Sequence, residues 1–393
     1  MPDLLVFALL FAALVIGFSL GYYQCQRGQR EKRSKGSGLP RKRYYQGLAY
    51  LLNDQPDAAI DTFISSLEVN SDTLETHLAL GNLLRKRGEV ARAIRVHQNL
   101  IARPSLSKPQ LHFAQLELGV DYLKSGLLDR AEALFKELAD GRDTTKDVRD
   151  QALAYLIEVF QDLREWLKAI DAADRLTTRK FASSADRWRE IQAQFCCELA
   201  NESIDKNDLQ NARRLIRNAL KYDKNCVRAN LLQAKIEMDE GAAAVALVLL
   251  RKIPKQNERF VSESLSLVYE CYEQLDSPAQ RLEHLRGLYH NKPSLVVLEC
   301  LAEATEVEEG AAAAYSLLKQ ELQSFSSLQA TADLLELLAP TVDSSARFQD
   351  LKPIIQRIAN ANHHYQCSNC GFVGEHIHWL CPSCKTWASI SRG

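Results

Sequence analysis

A small residue recurs along this chain at nearly fixed intervals, each time inside an apolar helical pattern. Gly47-x2-Tyr50 and Ala59-x3-Phe63 open the series, and Gly81-x2-Leu84 with Ala93-x3-His97 follows 34 residues on. Gly119-x2-Tyr122 with Ala131-x3-Phe135, then Ile157-x2-Phe160 with Ala169-x3-Ala173, come after steps of 38 residues. A weaker unit lies around Ala200, Ala212 and Ile216, and a sixth at Ala234, Ala246 and Leu250. A seventh fits Tyr269-x2-Tyr272, Leu285, Leu288 and Pro293; residues 296–323 and 328–360 read as two degenerate helical pairs. Two antiparallel helices joined by a short turn need a small residue where they cross. Gly at the eighth place and Ala at the twentieth are expected to supply that contact, with bulky residues at the eleventh and twenty-fourth filling the gap to the next unit. Arg87-Gly88-Glu89, Ser125-Gly126-Leu127 and Asn53-Asp54-Gln55 read as the turns. No such unit buries its face alone, so the units must stack.

This period and pattern resemble the tetratricopeptide repeat, most closely in the first three units. The resemblance implies an all-α superhelix of about 7–9 helical pairs, used as a protein-binding scaffold with a concave groove. Asn82, Arg85, Lys86 and Lys124 fall where such grooves face a ligand and are the expected partner-binding residues. Taken singly, each of them reads better as part of a solvated helix face. His97 sits at a packing position, which favours a core role over a ligand role. Trp166 and Trp188 read as packing anchors.

The C-terminal stretch carries different chemistry. Cys367-Ser-Asn-Cys370-Gly and Cys381-Pro-Ser-Cys384 face each other across a ten-residue insert. Each pair turns two sulfurs toward one cation, so Cys367, Cys370, Cys381 and Cys384 are the expected ligands of one iron or zinc ion. Gly371 suits a backbone position with φ > 0, and Pro382 presets a turn. His363, His364, His376 and His378 lie nearby, but four thiolates already complete a tetrahedron. Residues 363–393 are too few for a self-sufficient core, so metal binding must supply folding energy. Phe372, Ile377, Trp379, Leu380 and Trp387 are expected to form a small apolar shell. The paired turns resemble rubredoxin, with Lys385 in place of the Gly that usually follows the second pair and a shorter insert. The six other cysteines are scattered, and Cys196 and Cys197 are adjacent, which is awkward for a shared disulfide. A reducing compartment fits them best, as small core residues.

Leu4 to Tyr23 runs about twenty residues without a charge, enough for a helix to cross the roughly 30 Å hydrocarbon layer. Asp3 precedes it and basic residues follow from Arg27, which reads as an uncleaved anchor with its N-terminus outside and the bulk in the cytoplasm. Gly17 and Gly21 form a G-x-x-x-G pair that permits close helix packing, and self-association stays open. Residues 1–43 hold eight Lys/Arg against Asp3 and Glu31, leaving 41 basic against 48 acidic beyond them. The expected segments are an anchor at 1–23, a basic tether at 24–43, the repeat array at 44–360 and the metal-binding domain at 361–393. The basic, Gly/Ser-containing tether suits anionic lipid headgroups. The acidic body argues against a general nucleic-acid binder.

No catalytic constellation emerges, so the chain reads as no enzyme. The phosphate-loop pattern G-x-x-x-x-G-K is absent, and the one G-x-S-x-G, Gly17 to Gly21, lies inside the apolar run rather than at a strand-to-helix turn. Glu306, Glu308 and Glu309 read as a solvated face. Anchor, tether, repeats and knuckles together resemble the lipopolysaccharide assembly protein B family of the bacterial inner membrane. That resemblance implies an adaptor. It restrains lipopolysaccharide synthesis by promoting degradation of the deacetylase of the lipid A pathway (LpxC) by the membrane-bound FtsH protease, alongside other lipopolysaccharide assembly proteins. It also implies that the metal module packs on the repeats. Two rivals are a membrane-held rubredoxin-like electron carrier and a scaffold for envelope biosynthetic enzymes.

Overall fold

A computed structural model describes residues 74–104, 106–177, 185–321 and 365–392, with Gln46, Gly47, Ala49, Tyr50, Ala58 and Thr62. Residues 4–23, the tether, the Asn53–Gln55 turn, the helical pair at 328–360, His363 and His364 lie outside the described residues. Among the described residues no helix is long and apolar enough to cross a membrane. The chain divides into two compact units, 1–155 and 156–393.

In the first unit the described helices are α1 (Leu74–Lys86), α2 (Val90–Ile101), α3 (Lys108–Lys124) and α4 (Leu128–Asp140); α5 (Lys146–Asp162) carries the boundary. Ser107 caps α3 in a capping box, its own N–H donating to Gln110 Oε1 at 3.0 Å, with Pro109 in the first turn. In the second unit follow α6 (Trp166–Thr177), α7 (Ala185–Asp205), α8 (Leu209–Tyr222), α9 (Val227–Asp239), α10 (Ala243–Leu250), α11 (Ile253–Gln256) and a 3₁₀ turn (Glu258–Phe260). Then come α12 (Val261–Gln274), α13 (Pro278–Asn291), α14 (Leu295–Glu309) and α15 (Ala311–Glu321). Three short strands close the chain: β1 (Tyr365–Cys367), β2 (Val373–Gly374) and β3 (Ile390–Arg392). They form an antiparallel sheet in the order β2-β1-β3, with Gln366 opposite both Val373 and Ser391.

The twentieth-place alanines Ala93, Ala131, Ala169, Ala212 and Ala246 are all fully buried. The eighth-place glycines behave differently from expectation. A Cβ on Gly119 would lie 2.5 Å from the Phe135 ring, and one on Gly81 would overlap the His97 imidazole. The glycine therefore makes room for the twenty-fourth residue of its own hairpin, not for the alanine. Sizes at the two places trade off down the chain: Gly81 with His97, Gly119 with Phe135, Ile157 with Ala173, Ala200 with Ile216, Ala234 with Leu250, all buried. Close packing at constant volume explains the exchange.

Six hairpins share one turn. The middle residue has positive φ in each: Gly88 (83°), Gly126 (76°), Arg164 (58°), Asn207 (58°), Gly241 (78°) and Asp276 (47°). The residue after it donates its N–H back to a carbonyl five residues earlier, as Glu89 to Leu84 (2.9 Å), Leu127 to Tyr122 (2.9 Å) and Asp208 to Ser203 (2.8 Å). This is the Schellman closure of a helix C-terminus.

His97 takes the aromatic twenty-fourth place with a polar partner. Its Nδ1 lies 2.5 Å from Asp121 Oδ2, and both side chains are fully buried. Arg85 completes the group, donating to Asp121 Oδ1 (2.8 Å), Glu117 Oε2 (2.7 Å) and Asn82 Oδ1 (2.7 Å). A buried carboxylate needs such donors. Glu306, Glu308 and Glu309 are exposed, and Glu309 pairs with Arg286 at 2.7 Å.

Candidate metal centre and its seat on the helices

Two equivalent turns present the four sulfurs. In the first, Gly371 N–H donates to Cys367 O (2.9 Å) and Cys367 N–H to Phe372 O (2.8 Å). In the second, Lys385 N–H donates to Cys381 O (2.9 Å) and Cys381 N–H to Thr386 O (3.0 Å). Gly371 and Lys385 occupy the same place, and both have positive φ, 75° and 53°. Glycine meets that demand freely; lysine meets it at a cost of about 1 kcal/mol.

The four Sγ atoms lie within 4.8 Å of one another, with Cys367–Cys384 and Cys370–Cys381 each at 3.7 Å. A tetrahedron with metal–sulfur bonds of about 2.3 Å has edges of about 3.8 Å, so the sulfurs fit one tetrahedral ion. Soft thiolates suit zinc and iron alike. His376 and His378 stay exposed and outside this group.

The surroundings prepare the sulfurs for charge. The Thr386 hydroxyl, with Asn369 beside it, draws the Cys384 thiol down to about 5. Ser389 Oγ, 3.2 Å from Cys367 Sγ, leads the lowering of that thiol, helped by the N–H groups of Cys370 and Asn369. Burial pushes the Cys381 thiol up to about 11, against the N–H groups of Cys384 and Ser383. Asn369 Nδ2 donates to Thr386 Oγ1 at 3.0 Å, joining the two turns. A bound cation favours all four as thiolates.

Of the expected apolar shell, Phe372 lines the inside of the ribbon, whereas Ile377, Trp379 and Trp387 turn outward. The inner cluster is Cys367, Cys381 and Ile390, lined by Tyr365, Phe372 and Cys384. Ile377, Trp379 and Ala388 pack instead on the core built from α9, α10 and α12. Trp379 stacks on Phe260 at 5.2 Å, and the Arg228 guanidinium lies 5.6 Å from its ring centre. Trp387 meets Phe195 (5.8 Å) and Trp166 (6.3 Å) edge-on and donates its Nε1–H to Gln161 Oε1 at 2.7 Å. A ribbon this small has no interior for its two indoles, so they pack on the helices. Polar clasps surround them: Lys385 Nζ to both Asp162 oxygens (2.5 and 2.6 Å), Arg259 to Ser389 O and Ser391 Oγ, and Tyr365 Oη to Glu263 Oε2 at 3.3 Å. Burial raises the Glu263 carboxyl despite that hydrogen bond. Trp166 is the buried anchor the sequence suggested, whereas Trp188 is half-buried.

The residues expected to face a partner are split. Arg85 and Asn82 are engaged with Glu117 and Asp121 inside the first unit, while Lys86 and Lys124 are exposed. Gly17 and Gly21 lie outside the described residues. The sequence did not point to Ser389, Thr386, Arg228, Arg259, Glu263 or Gln161. Only Lys385, standing where a rubredoxin-like turn usually has glycine, gave a local hint of a special contact.

Residues 365–392 match the family model described as rubredoxin metal binding domain, and residues 76–108 and 197–257 match tetratricopeptide repeat models. Among solved structures, a tetratricopeptide repeat protein from Parabacteroides merdae covers 68% of this chain and 99% of its own, at 13% identity and a TM-score of 0.35. MamA covers 48% of this chain and 94% of its own, at 18% identity and a TM-score of 0.33. Lipopolysaccharide assembly protein B of Escherichia coli (strain K12) is 33% identical over 386 residues, 97% of each chain. Its namesake in Haemophilus influenzae is 31% identical over 398 residues, again 97% of each. Likeness of this extent, carried through both repeats and ribbon, shows that the chain belongs to the lipopolysaccharide assembly protein B family.

Proposed function

We propose that this protein is an inner-membrane adaptor of lipopolysaccharide assembly that presents a captured enzyme to a protease. Residues 1–23 anchor it with the N-terminus outside, and Gly17 and Gly21 pack against neighbouring membrane helices. Residues 24–43 form a basic tether along anionic headgroups. Residues 44–360 are the array that binds protein partners, with Lys86 and Lys124 facing the partner and Asn82 and Arg85 holding that surface in shape. Residues 361–393 bind one zinc or iron ion through Cys367, Cys370, Cys381 and Cys384 and brace the array. The captured enzyme is the lipid A pathway deacetylase, and the protease is FtsH. The chain itself performs no reaction. Tethering both proteins to one membrane site raises their effective concentration, to the millimolar range for short flexible linkers.

The observation that carries this reading is the placement of the ribbon's two indoles, Trp379 and Trp387, on the helices. A ribbon built that way is a brace. The relatives' name, lipopolysaccharide assembly protein B, supplies the process. An electron-carrier reading draws on the exposed Cys370; iron with a reversible one-electron couple is its signature. The test is partner capture from membranes holding an inactive protease, comparing the wild type with Cys367→Ser. Wild type retains deacetylase and protease together, and the variant loses the deacetylase. Equal retention by both would show that the ribbon has no part in partner capture.

A further inference from the structure

A second group of thiols lies in the 156–393 unit, away from the ribbon's four. Cys196 and Cys197 are on α7, and Cys226 is the residue immediately before the N-terminus of α9. Cys197 Sγ and Cys226 Sγ are 3.8 Å apart, with the two residues 0% and 2% exposed. Gln194 Nε2 is 3.7 Å from the Cys226 sulfur.

The two sulfurs are not equivalent. Cys226 stands where the unpaired N–H groups of a thirteen-residue helix converge, a position that favours an anion. The contact between the two thiols lowers the Cys226 thiol most, with the Ala229 N–H and the Arg228 guanidinium acting in the same direction against burial and the Asp223 carboxylate. That same contact, with burial, pushes the Cys197 thiol well above its ordinary range. The position of Cys226 at the helix N-terminus favours the thiolate there, which makes Cys226 the nucleophile of the pair.

We propose that Cys197 and Cys226 are a dithiol that hydrogen peroxide oxidises to an internal disulfide. Burial sets the class of oxidant, because a molecule little larger than water reaches enclosed sulfurs and a bulky disulfide does not. The Cys226 thiolate attacks one peroxide oxygen. The O–O bond breaks, and hydroxide leaves with the proton Cys226 gave up, as water. Cys226 is then a sulfenic acid. The Cys197 sulfur attacks the Cys226 sulfur, the S–O bond breaks, and hydroxide departs with the Cys197 proton as a second water. Two electrons pass from the two thiols to one peroxide.

The sulfurs must close from 3.8 Å to a bond of about 2.0 Å. Each cysteine has a neighbour that matters to the ribbon. Glu198 follows Cys197 and accepts from Arg228 Nη1 at 2.8 Å; Arg228 lies two residues past Cys226 and over Trp379. Oxidation thus acts on the groups that seat Trp379.

The test uses the full-length, zinc-loaded protein in detergent micelles, treated with hydrogen peroxide or, separately, with oxidised glutathione. Alkylation under denaturing conditions and peptide mapping follow. The expected result with peroxide is a Cys197–Cys226 cross-link, with Cys271 and Cys300 alkylated and zinc retained. Oxidised glutathione gives none. Cys196→Ser keeps the cross-link. Cys197→Ser abolishes it and leaves a Cys226 sulfenic acid that dimedone traps. Finding Cys197 and Cys226 both alkylated at peroxide doses that already eject zinc overturns the proposal, as does a bond from Cys226 to Cys196. The wild-type map decides even where a variant folds poorly.

Discussion

Lys385 holds a left-handed backbone where glycine fits best, and its amine grips Asp162. The strain of about 1 kcal/mol and the gain from a half-exposed ion pair nearly cancel. Lys385→Gly is therefore expected to change stability by no more than about 0.5 kcal/mol, whereas Lys385→Ala keeps the strain, loses the pair and costs about 1 kcal/mol. Urea unfolding of the two variants checks this; an equal loss in both would mean that the left-handed backbone costs lysine nothing. Gly119 poses the opposite demand. The space its missing side chain leaves is filled by Phe135, so Gly119→Ala is expected to cost about 1–3 kcal/mol in the same assay. His284 reports on acid sensitivity. Burial, with Arg251 adding, holds its imidazole down to about 4, and Tyr272 Oη lies 3.2 Å from its Nδ1. The unfolded chain takes up this proton below about 6.5 while the folded chain does not, so stability present above that pH is lost as pH falls toward 4. His284→Gln should flatten that part of the stability–pH curve; an unchanged slope would contradict the assignment.

At the scale of elements, the sequence was readable where interactions are local. The twentieth-place alanines and the turns at Gly88 and Gly126 follow from helix pairing and from the conformational freedom of glycine. Arg164, Asn207 and Asp276 adopt the same left-handed turn without a glycine to announce it. The hairpin imposes the geometry there, and residue type does not reveal it. The Cys-x-x-Cys spacing likewise foretold four converging sulfurs, because each turn is set within a few residues. The ribbon's two indoles were misplaced for the converse reason. Trp387 pairs with Gln161 and Lys385 with Asp162 across more than 200 positions, contacts that no local pattern encodes. The ion pairs of Arg85 are contacts of the same kind, since its partners Glu117 and Asp121 lie on the next hairpin. Removing the metal should separate the two kinds of element. With chelator, hydrogen exchange is expected to lose protection across 365–392, while the far-ultraviolet signal of the helices persists. Collapse of both together would mean that the ribbon is required for the array to fold.

For the whole molecule, the proposed role joins a ribbon seated on helices to an array that captures protein, held at a membrane by a segment apart from both. Membership of the family rests on likeness along 97% of the chain, and the role proposed depends on coupling between anchor and array. Each part alone is expected to be inert: repeats without the anchor bind without delivering, and an anchor without repeats delivers nothing. The most direct test is the half-life of the lipid A pathway deacetylase in cells that lack their own adaptor. Such cells would be supplied, at matched expression, with the full chain or with a chain lacking residues 1–23. Rapid turnover is expected with the full chain and a stable deacetylase with the truncated one. Equally rapid turnover with both would contradict the coupling of anchor and array.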